Sequence, residues 1–327
     1  MTLTLAVESS CDESSVALVQ DGRSVLSSLV HTQLLEHAAY GGVVPELAAR
    51  AHLEKLPALV PAVLAEAGVG PSAIDQLAVT RGPGLAGCLL VGTGLAQGLA
   101  TAWDREVLGV NHLWGHVYAA RLAQPQLEPP LLALVVSGAH SDLVLMPEHG
   151  RFEVLGRTRD DAAGEAFDKA ARMLELGYPG GPLLDRAARH GDAGRQPLPI
   201  PALPDLGYSF SGLKTALLYR IRDLGGAQRL SPEVRDDLCA AFERSLVEAL
   251  VRQLNRALTL NPVPEVVVCG GVAANSLLRR RAAEVVGRRA RLTIPPPSLC
   301  TDNAAMIGAA AEYTAPGTLA VDPGLGW

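Results

Sequence analysis

The chain has 327 residues, of which 48% are hydrophobic and 19% are charged, a globular composition that excludes a disordered tail, a coiled coil and a collagen-like fibre. Its net charge of −6 argues against non-specific coating of nucleic acid. No uninterrupted apolar run of about eighteen residues occurs, and the first residues lack the basic start of a signal peptide. The five cysteines are widely spaced and form no CxxC, which favours a reduced compartment. We therefore expect a soluble, cytoplasmic protein without a membrane segment.

The first half of the chain alternates predicted strands and helices. Residues 3–7 and 15–20 form a hairpin around a polar turn that contains Asp12 and Glu13. A helix over 43–67, a strand over 76–80 and an apolar helix that ends near residue 102 come next. A strand over 107–110 then leads into a helix that begins at Asn111.

The second half repeats this pattern, beginning with a second hairpin over 131–146. Its other predicted elements are a strand over 265–269, a proline-rich loop over 191–207 and helices over 160–176, 234–258, 273 onward and 301–313. Strands that alternate with helices indicate an α/β fold with buried sheets. The two similar hairpins predict two related lobes, over 1–130 and 131–327, with the last helix packing back near the space between them.

Glycine-rich turns follow several of the predicted strands. They are Gly82-Pro83-Gly84, Ser137-Gly138 and Gly270-Gly271. Such turns present backbone N–H groups that suit phosphate, although one of them alone is usually only a tight turn. Neither GxxxxGK[ST] nor an early GxGxxG is present, which disfavours a P-loop and a dinucleotide fold. The three turns together favour a nucleotide cleft between the lobes.

Three further patterns carry candidate chemistry. His112 and His116 are one helical turn apart, where two imidazoles can bind one metal ion or can simply be helix residues. In the acidic run from Asp160 to Asp168, Asp161, Glu165 and Asp168 fall on one helix face, which is either solvated or faces a cleft. The segment 208–215 is either a helix start with a buried Phe or a substrate contact. Spacing alone does not decide among these readings.

Long motifs along the chain resemble one family, the tRNA threonylcarbamoyladenosine transferases, over residues 8 to about 311. They are ESSCDESSVALV, YGGVVPELAARAHL, GPGLAGCLLVG, NHLWGH, VSGAHSDLVL, DDAAGEAFDKAARMLELGYPGGP, YSFSGLKTA, CGGVAANSLLR and CTDNAAMIGAAA. The resemblance implies a two-lobed fold like those of actin, the sugar kinases and Hsp70. It also implies transfer of threonylcarbamoyl from L-threonylcarbamoyl-adenylate to N6 of adenosine 37 in tRNAs that read codons beginning with A, with release of AMP.

The resemblance assigns roles to particular residues of this sequence. The implied metal ligands, for iron or zinc, are His112, His116 and Asp302. Catalytic or positioning acids would be Asp12 and Glu13. The implied adenylate pocket comprises Val135, Val136, Ser137, Gly138, Ala139, Asp168, Gly181, Asp185 and Asn275. Ala139 stands where the family has a second glycine, which predicts a modest cost if that position needs a positive φ or a close approach by phosphate.

Partners and competing functions follow from the same motifs. The resemblance implies tRNA, a paralogous actin-like subunit and a small P-loop ATPase as partners. Six arginines between residues 279 and 291 are either a solvated helix face or the surface that binds tRNA. A small-molecule kinase or ATPase of the same fold is the alternative function. A metallopeptidase is disfavoured because Leu113 stands where HExxH has its glutamate.

Overall fold

The computed structural model describes residues 1–317 and 319–327. Two compact units divide the chain: unit 1 contains Met1–Leu127 and Ser298–Trp327, and unit 2 contains Glu128–Pro297. The first boundary lies close to the predicted one at residue 130. The final segment differs from the expectation of a single lobe over 131–327, because it packs within unit 1. The reason is its apolar helix, which lies against the sheet of unit 1.

Unit 1 is built on a five-stranded sheet of order β3-β2-β1-β4-β5. Its strands are β1 (Leu3–Glu8), β2 (Glu13–Gln20), β3 (Ser24–Thr32), β4 (Gln76–Gly82) and β5 (Glu106–Asn111). Strands β1 to β3 pair antiparallel, whereas β1, β4 and β5 pair parallel. The helices of unit 1 are α1 (Leu34–Ala38), α2 (Pro45–Ala67), α3 (Ala86–Trp103), α4 (His112–Ala123) and α11 (Ala304–Ala311).

Both faces of this sheet are covered. On one face, Leu5 and Val7 of β1 join a core cluster with side chains of α2 and α3. Ala6 points to the other face, where a Cβ on Gly308 of α11 would lie only 3.4 Å from its Cβ. Side chains alternate between the two faces along a strand, and both faces are packed against helices here. This explains why β1 is an almost unbroken apolar segment.

Unit 2 repeats the topology, with a sheet of order β10-β9-β6-β7-β8. Its strands are β6 (Leu131–Val136), β7 (Ser141–Glu148), β8 (Arg151–Arg157), β9 (Glu265–Cys269) and β10 (Arg291–Thr293). Its helices are α5 (Ala163–Met173), α6 (Gly180–Ala188), α7 (Ser211–Asp223), α8 (Pro232–Leu260) and α9 (Ser276–Val286). The short α10 (Pro297–Cys300) follows at the second boundary. The duplicated hairpins predicted from the sequence are thus parts of two sheets with the same strand order.

The structure corrects two predicted helix starts near candidate residues. Helix α5 begins at Ala163 and not at residue 160, so Asp160 and Asp161 precede it. Helix α11 begins at Ala304 and not at residue 301, because the side chain of Asn303 caps it by accepting a hydrogen bond from the backbone N–H of Met306 at 3.0 Å. Asp302 therefore lies in the segment before the cap, outside the helix.

Helix α3 is long and apolar enough to pass a test of membrane-spanning helices by length and composition alone. It packs against α2 and β4, and Leu89 and Ala96 are fully buried. Gly92 approaches the residue that follows β1 closely, since a Cβ there would lie 2.2 Å from Oγ of Ser9. These contacts make α3 a core helix of unit 1.

Candidate functional site

Two histidines of α4 and an aspartate from the last segment of the chain form a cluster in unit 1. The helix starts at His112 because the side chain of Asn111 accepts a hydrogen bond from the backbone N–H of Leu113 at 2.9 Å. Oδ1 of Asp302 lies 3.5 Å from Nε2 of His112 and 3.4 Å from Nε2 of His116. One candidate ligand atom from each residue lies within 4.8 Å of the other two. This geometry brings together the three residues that the sequence named as metal ligands.

The chemistry of the cluster fits a divalent metal ion. His116 is completely buried, and neither of its ring nitrogens makes a hydrogen bond within the described residues. A buried nitrogen without a hydrogen bond is costly, and a bond from the metal ion to Nε2, which has only the carboxylate of Asp302 at 3.4 Å, removes that cost for this nitrogen. Two imidazoles with one carboxylate are donors that suit zinc or iron.

A buried glutamate orients the first histidine of the cluster. Oε2 of Glu8 lies 3.1 Å from Nδ1 of His112, and Oγ of Ser10 lies 3.2 Å from the same nitrogen. Glu8 is itself fixed by a 2.5 Å hydrogen bond from the hydroxyl of Thr80. Burial lowers the pKa of His112, but the carboxylates of Asp302 and Glu8 outweigh it and raise the pKa to about 9. A carboxylate on the far nitrogen of a metal-binding histidine is the usual supporting arrangement.

The two candidate catalytic acids lie at the start of β2. Asp12 is 8% exposed, and its backbone carbonyl accepts a hydrogen bond from the N–H of Gln33 at 3.1 Å. Oε1 of Glu13 accepts a hydrogen bond from the hydroxyl of Thr32 at 3.4 Å. Burial, and then the charges of Asp302 and Asp12, raise the pKa of Glu13 to about 10. Burial and the neighbouring acids therefore favour the protonated form of Glu13, which lies within electrostatic range of the cluster.

The turn Gly82-Pro83-Gly84 does not present free N–H groups to a phosphate, contrary to the prediction. The N–H of Gly84 donates to the carbonyl of Pro323 at 3.2 Å, and the N–H of Leu85 donates to the carbonyl of Ser10 at 2.8 Å. A Cβ at Gly82 would lie 1.9 Å from the carbonyl oxygen of Asp322. The turn is glycine-rich because the end of the chain packs closely on it.

A cavity of about 440 Å³ lies in unit 2, where the other two glycine turns meet helices. Five of the residues predicted for the adenylate pocket line it, namely Gly138, Asp168, Gly181, Asp185 and Asn275. Phe167 and Val272 supply apolar lining. A Cβ at Gly271 would meet no atom within 4 Å, so this glycine leaves open space beside the cavity.

Four predicted pocket residues do not line this cavity. Val135 and Val136 are fully buried in β6, and Oγ of Ser137 accepts a hydrogen bond from the N–H of His140 at 3.1 Å within the turn. Ala139 is exposed and has no positive φ. The cost that a positive φ would bring at Ala139 therefore does not arise, while the cost of a close approach by phosphate stays a prediction.

Hydrogen bonds tie the acidic residues of the cavity to helix starts. Oδ1 of Asp168 accepts from the backbone N–H groups of Gly180 and Gly181, at 2.8 and 3.3 Å. Oδ1 of Asp185 accepts from the hydroxyl of Ser276 at 2.8 Å and from Nδ2 of Asn275 at 3.2 Å. Burial opposes ionisation of Asp185, but the hydrogen bonds from Ser276 lower its pKa.

Two residues of the acidic run, Asp160 and Asp161, contact the segment 208–215 directly. This contact gives both segments a structural role. Oδ1 of Asp160 accepts the backbone N–H of Phe210 at 2.8 Å and so caps α7, whose own N-cap side chain makes no cap bond. Asp161 forms ion pairs with Lys214 and with Lys169, the latter at 2.9 Å. Of the run, only Asp168 reaches the cavity.

Sequence reasoning missed two buried acids, Glu8 and Glu243. Glu8 is the last residue of the otherwise uncharged β1, and polar side chains at strand ends are often functional. Glu243 is 6% exposed and lies in the apolar stripe of α8, four residues after Cys239 and three before Leu246. A charged residue inside an apolar stripe was the available signal.

The profile of one protein family, tRNA N6-adenosine threonylcarbamoyltransferase, matches residues 24–309. A protein of that name from Symbiobacterium thermophilum is 50% identical over 315 residues, covering 95% of this chain and 91% of the relative. The chain belongs to this family. A relative of the same name from Anaeromyxobacter dehalogenans is 50% identical and covers 96% of this chain and 94% of its own.

Solved structures share the actin-like ATPase fold of this transferase. HypF from T. kodakarensis aligns with a TM-score of 0.61 at 15% identity, covering 95% of this chain and 47% of that one. Component A of the (R)-2-hydroxyglutaryl-CoA dehydratase from Acidaminococcus fermentans aligns with a TM-score of 0.54 at 17% identity, covering 96% and 98%. The predicted fold class is confirmed, and this transferase acts in tRNA modification.

Proposed function

We propose that this transferase moves threonylcarbamoyl from L-threonylcarbamoyl-adenylate to N6 of adenosine 37, in tRNAs that read codons beginning with A. The amine attacks the carbamoyl carbon, the bond from that carbon to the phosphate oxygen breaks, and AMP leaves while N6 loses a proton. The donor is a mixed anhydride with a good leaving group, so the protein mainly positions the amine and stabilises charge on the carbonyl oxygen. The observation that carries the proposal is the buried His112–His116–Asp302 cluster in a member of this family.

The cluster would hold one divalent ion, iron or zinc, through His112, His116 and Asp302. When bound, the ion supplies Lewis acidity toward the carbonyl oxygen. Glu8 keeps Nε2 of His112 directed at Asp302 by binding the opposite nitrogen. Glu8 thus fixes the orientation of the His112 ring at the proposed metal site.

Asp12 and Glu13 are assigned to the proton that N6 loses. Glu13 is protonated at neutral pH, because burial raises its pKa to about 10, and it is therefore a hydrogen-bond donor. Asp12, which precedes it, is the proposed acceptor of the proton. The two acids thus supply one donor and one acceptor close to the metal cluster.

The cavity of unit 2 is assigned to the adenosine part of the donor. Its volume of about 440 Å³ lies within the usual range of small-molecule pockets, about 300–1,000 Å³. Asp168 and Asp185 are proposed to accept hydrogen bonds from the ribose hydroxyls. Gly138 and Gly271 leave room for close approach of the ligand to the backbone. Val135, Val136, Ser137 and Ala139 do not line the cavity, and direct contacts are proposed only for the predicted residues that do.

Several of the six arginines between residues 279 and 291 are already bound within the protein, so fewer of them are available to contact tRNA than the sequence indicates. Arg281 pairs with Glu248, Arg291 pairs with Glu265, and the guanidinium of Arg279 donates to three backbone carbonyls. Arg280 and Arg288 are exposed. These two are the proposed tRNA contacts, and replacing both by Ala is expected to reduce the slope of log affinity against log salt by about 2. An unchanged slope would remove this surface from the proposal.

Partner proteins and location complete the proposal. A paralogous actin-like subunit and a small P-loop ATPase are proposed to assist turnover in the cytoplasm. The alternative of a small-molecule kinase or ATPase is not favoured by family membership. The peptidase reading has no glutamate base, since Leu113 follows His112.

The deciding experiment is single-turnover transfer from the adenylate to unmodified tRNA, with the partner proteins present. His116→Ala is expected to lose more than about tenfold in rate, at least ~1.4 kcal/mol of barrier, together with its metal content. His149→Ala, which removes a histidine paired with Glu128 in unit 2, is the control and is expected to retain both. Full activity in His116→Ala would contradict the metal role. ATP-dependent phosphorylation of a small molecule without tRNA modification would replace the transferase by the kinase.

A further inference from the structure

A buried carboxylate lies beneath the cavity of unit 2 without lining it. Glu243 belongs to α8 and is 6% exposed. Its Oε1 accepts a hydrogen bond of 2.6 Å from Nδ2 of Asn275, which does line the cavity. Acidic side chains are rarely buried to this degree unless a partner compensates them. The partner here is a side chain of the candidate adenosine pocket.

Asn275 connects three parts of the pocket, and its orientation follows from its partners. Its Oδ1 accepts the backbone N–H of Leu278 at 2.8 Å and caps α9. Its Nδ2 donates to Glu243 and also to Oδ1 of Asp185, the latter at 3.2 Å. A carboxylate can only accept, so Glu243 fixes the amide with its NH₂ group toward both acids. Without that acceptor the amide loses its shortest hydrogen bond.

We propose that Glu243 is a positioning residue of this cavity, which holds Asn275 and through it Asp185 in the arrangement that binds adenosine, and which couples that binding to pH. The proposal rests on the assignment of the cavity to the adenosine part of the donor. Neither Glu243 nor α8 was part of that assignment.

The charges around Glu243 make it a titrating group. Burial raises its pKa to about 7, and the charge of Asp185 adds to this effect, whereas Asn275 and Arg189 oppose it. Asp185 and Arg189 are the charged neighbours from α6. The other elements packed on α8 are β6, α5, α7 and α9, and β6 has no titratable residue. Of their side chains, Phe167 of α5 packs against Phe242, Lys214 of α7 is paired with Asp161, and Arg281 of α9 is paired with Glu248.

The protonation state of Glu243 decides whether its carboxyl group can donate a hydrogen bond to Asp185. Ionised Glu243 accepts from Asn275 and leaves Asp185 to accept from a ribose hydroxyl. Protonated Glu243 gains an O–H donor, which competes for the oxygens of Asp185 and weakens the hold on the amide. Adenosine affinity is therefore expected to fall as pH drops through about 7.

The test measures the affinity of adenosine by calorimetry at about pH 6 and pH 8.5 on the full-length protein. Adenosine is the probe because it has no phosphate that titrates in this range. Wild type is expected to bind about three- to tenfold more weakly at the lower pH, since a shift of one pKa unit corresponds to a tenfold change. Glu243→Gln keeps an acceptor for Asn275 but has no proton to gain, and is expected to bind with little pH dependence.

Glu243→Leu removes the acceptor and is expected to bind at least about fivefold more weakly at both pH values, the cost of an unpaired buried donor. Glu248→Gln is the matched control, because it changes a glutamate of the same helix that pairs with Arg281. It is expected to keep the wild-type pH dependence. Thermal unfolding of each variant checks that the fold is retained.

Three results would overturn the inference. If Glu243→Gln keeps the pH dependence of wild type, the titrating group is another one. If Glu243→Leu binds as tightly as wild type, Glu243 does not position the pocket. If wild type itself binds no adenosine, the assignment of the cavity fails as well, whereas the other two results leave that assignment intact.

Discussion

Replacing Glu8 by Gln tests whether the support of His112 is needed to hold a metal ion. Glu8 is fully buried, and its Oε2 lies 3.1 Å from Nδ1 of His112. Loss of such a supporting carboxylate typically costs 10- to 100-fold in metal affinity, or about 1.4–2.7 kcal/mol. Oγ of Ser10 lies 3.2 Å from the same nitrogen and can replace part of the interaction. We therefore expect a loss close to tenfold.

The assay is competition for zinc between the metal-free protein and a chelating dye. His116→Ala, which removes a ligand, sets the scale for complete loss. Glu66→Gln is the control, since Glu66 accepts a hydrogen bond from Ser27 elsewhere in unit 1. If folded Glu8→Gln binds zinc within about twofold of wild type, the orientation of His112 does not depend on Glu8 and the reasoning is refuted.

Three further changes test the local structure of unit 2 by urea unfolding. Asp160→Ala is expected to lower stability by about 1–2 kcal/mol because it uncaps α7. Burial opposes ionisation of Asp160, but its hydrogen bonds lower its pKa. The stabilisation by the cap is therefore present at neutral pH and is lost as pH falls through that pKa. Equal free energies of unfolding for the variant and wild type at pH 7 would contradict this prediction. Gly180→Ala is expected to cost about 1–3 kcal/mol, since its Cβ would lie 2.6 Å from Cβ of Ala171. Gly181→Ala, whose Cβ would be 4.0 Å from that of Phe167, is expected to be neutral, and similar losses in both would refute the packing argument.

The sequence predicted the parts of the fold that local periodicity and capping determine. Helix α2 and the hairpins follow from apolar period and turn residues, and α4 begins within one residue of the predicted start at Asn111, which is its N-cap. Strand β3 was missed because it lies at the sheet edge, where Val25, Leu26 and Val30 are exposed and the pattern is irregular. An edge strand is defined by its neighbour in the sheet and less by its own sequence.

The family motifs in the sequence pointed to the three candidate metal ligands. They did not point to the buried acids that hold site residues in place. The family motifs named Asp302 as the partner of His112 and His116, and the structure places the three together. The roles of Glu8 and Glu243 depend on contacts between segments far apart in the chain. The turn Gly82-Pro83-Gly84 was misread because glycine permits close approach by any group, and here that group is backbone of the same chain.

The order of the proposed metal ligands along the chain has a consequence for how the protein is made. A ribosome releases α4, with His112 and His116, before any of unit 2, and releases Asp302 only after all of it. The same late segment supplies α11, which covers one face of the first strands. Unit 1 is therefore complete only once the residues from Ser298 onward have been made. A chain that stops before residue 302 has two of the three residues of the proposed metal cluster, and we expect it to bind the ion less tightly.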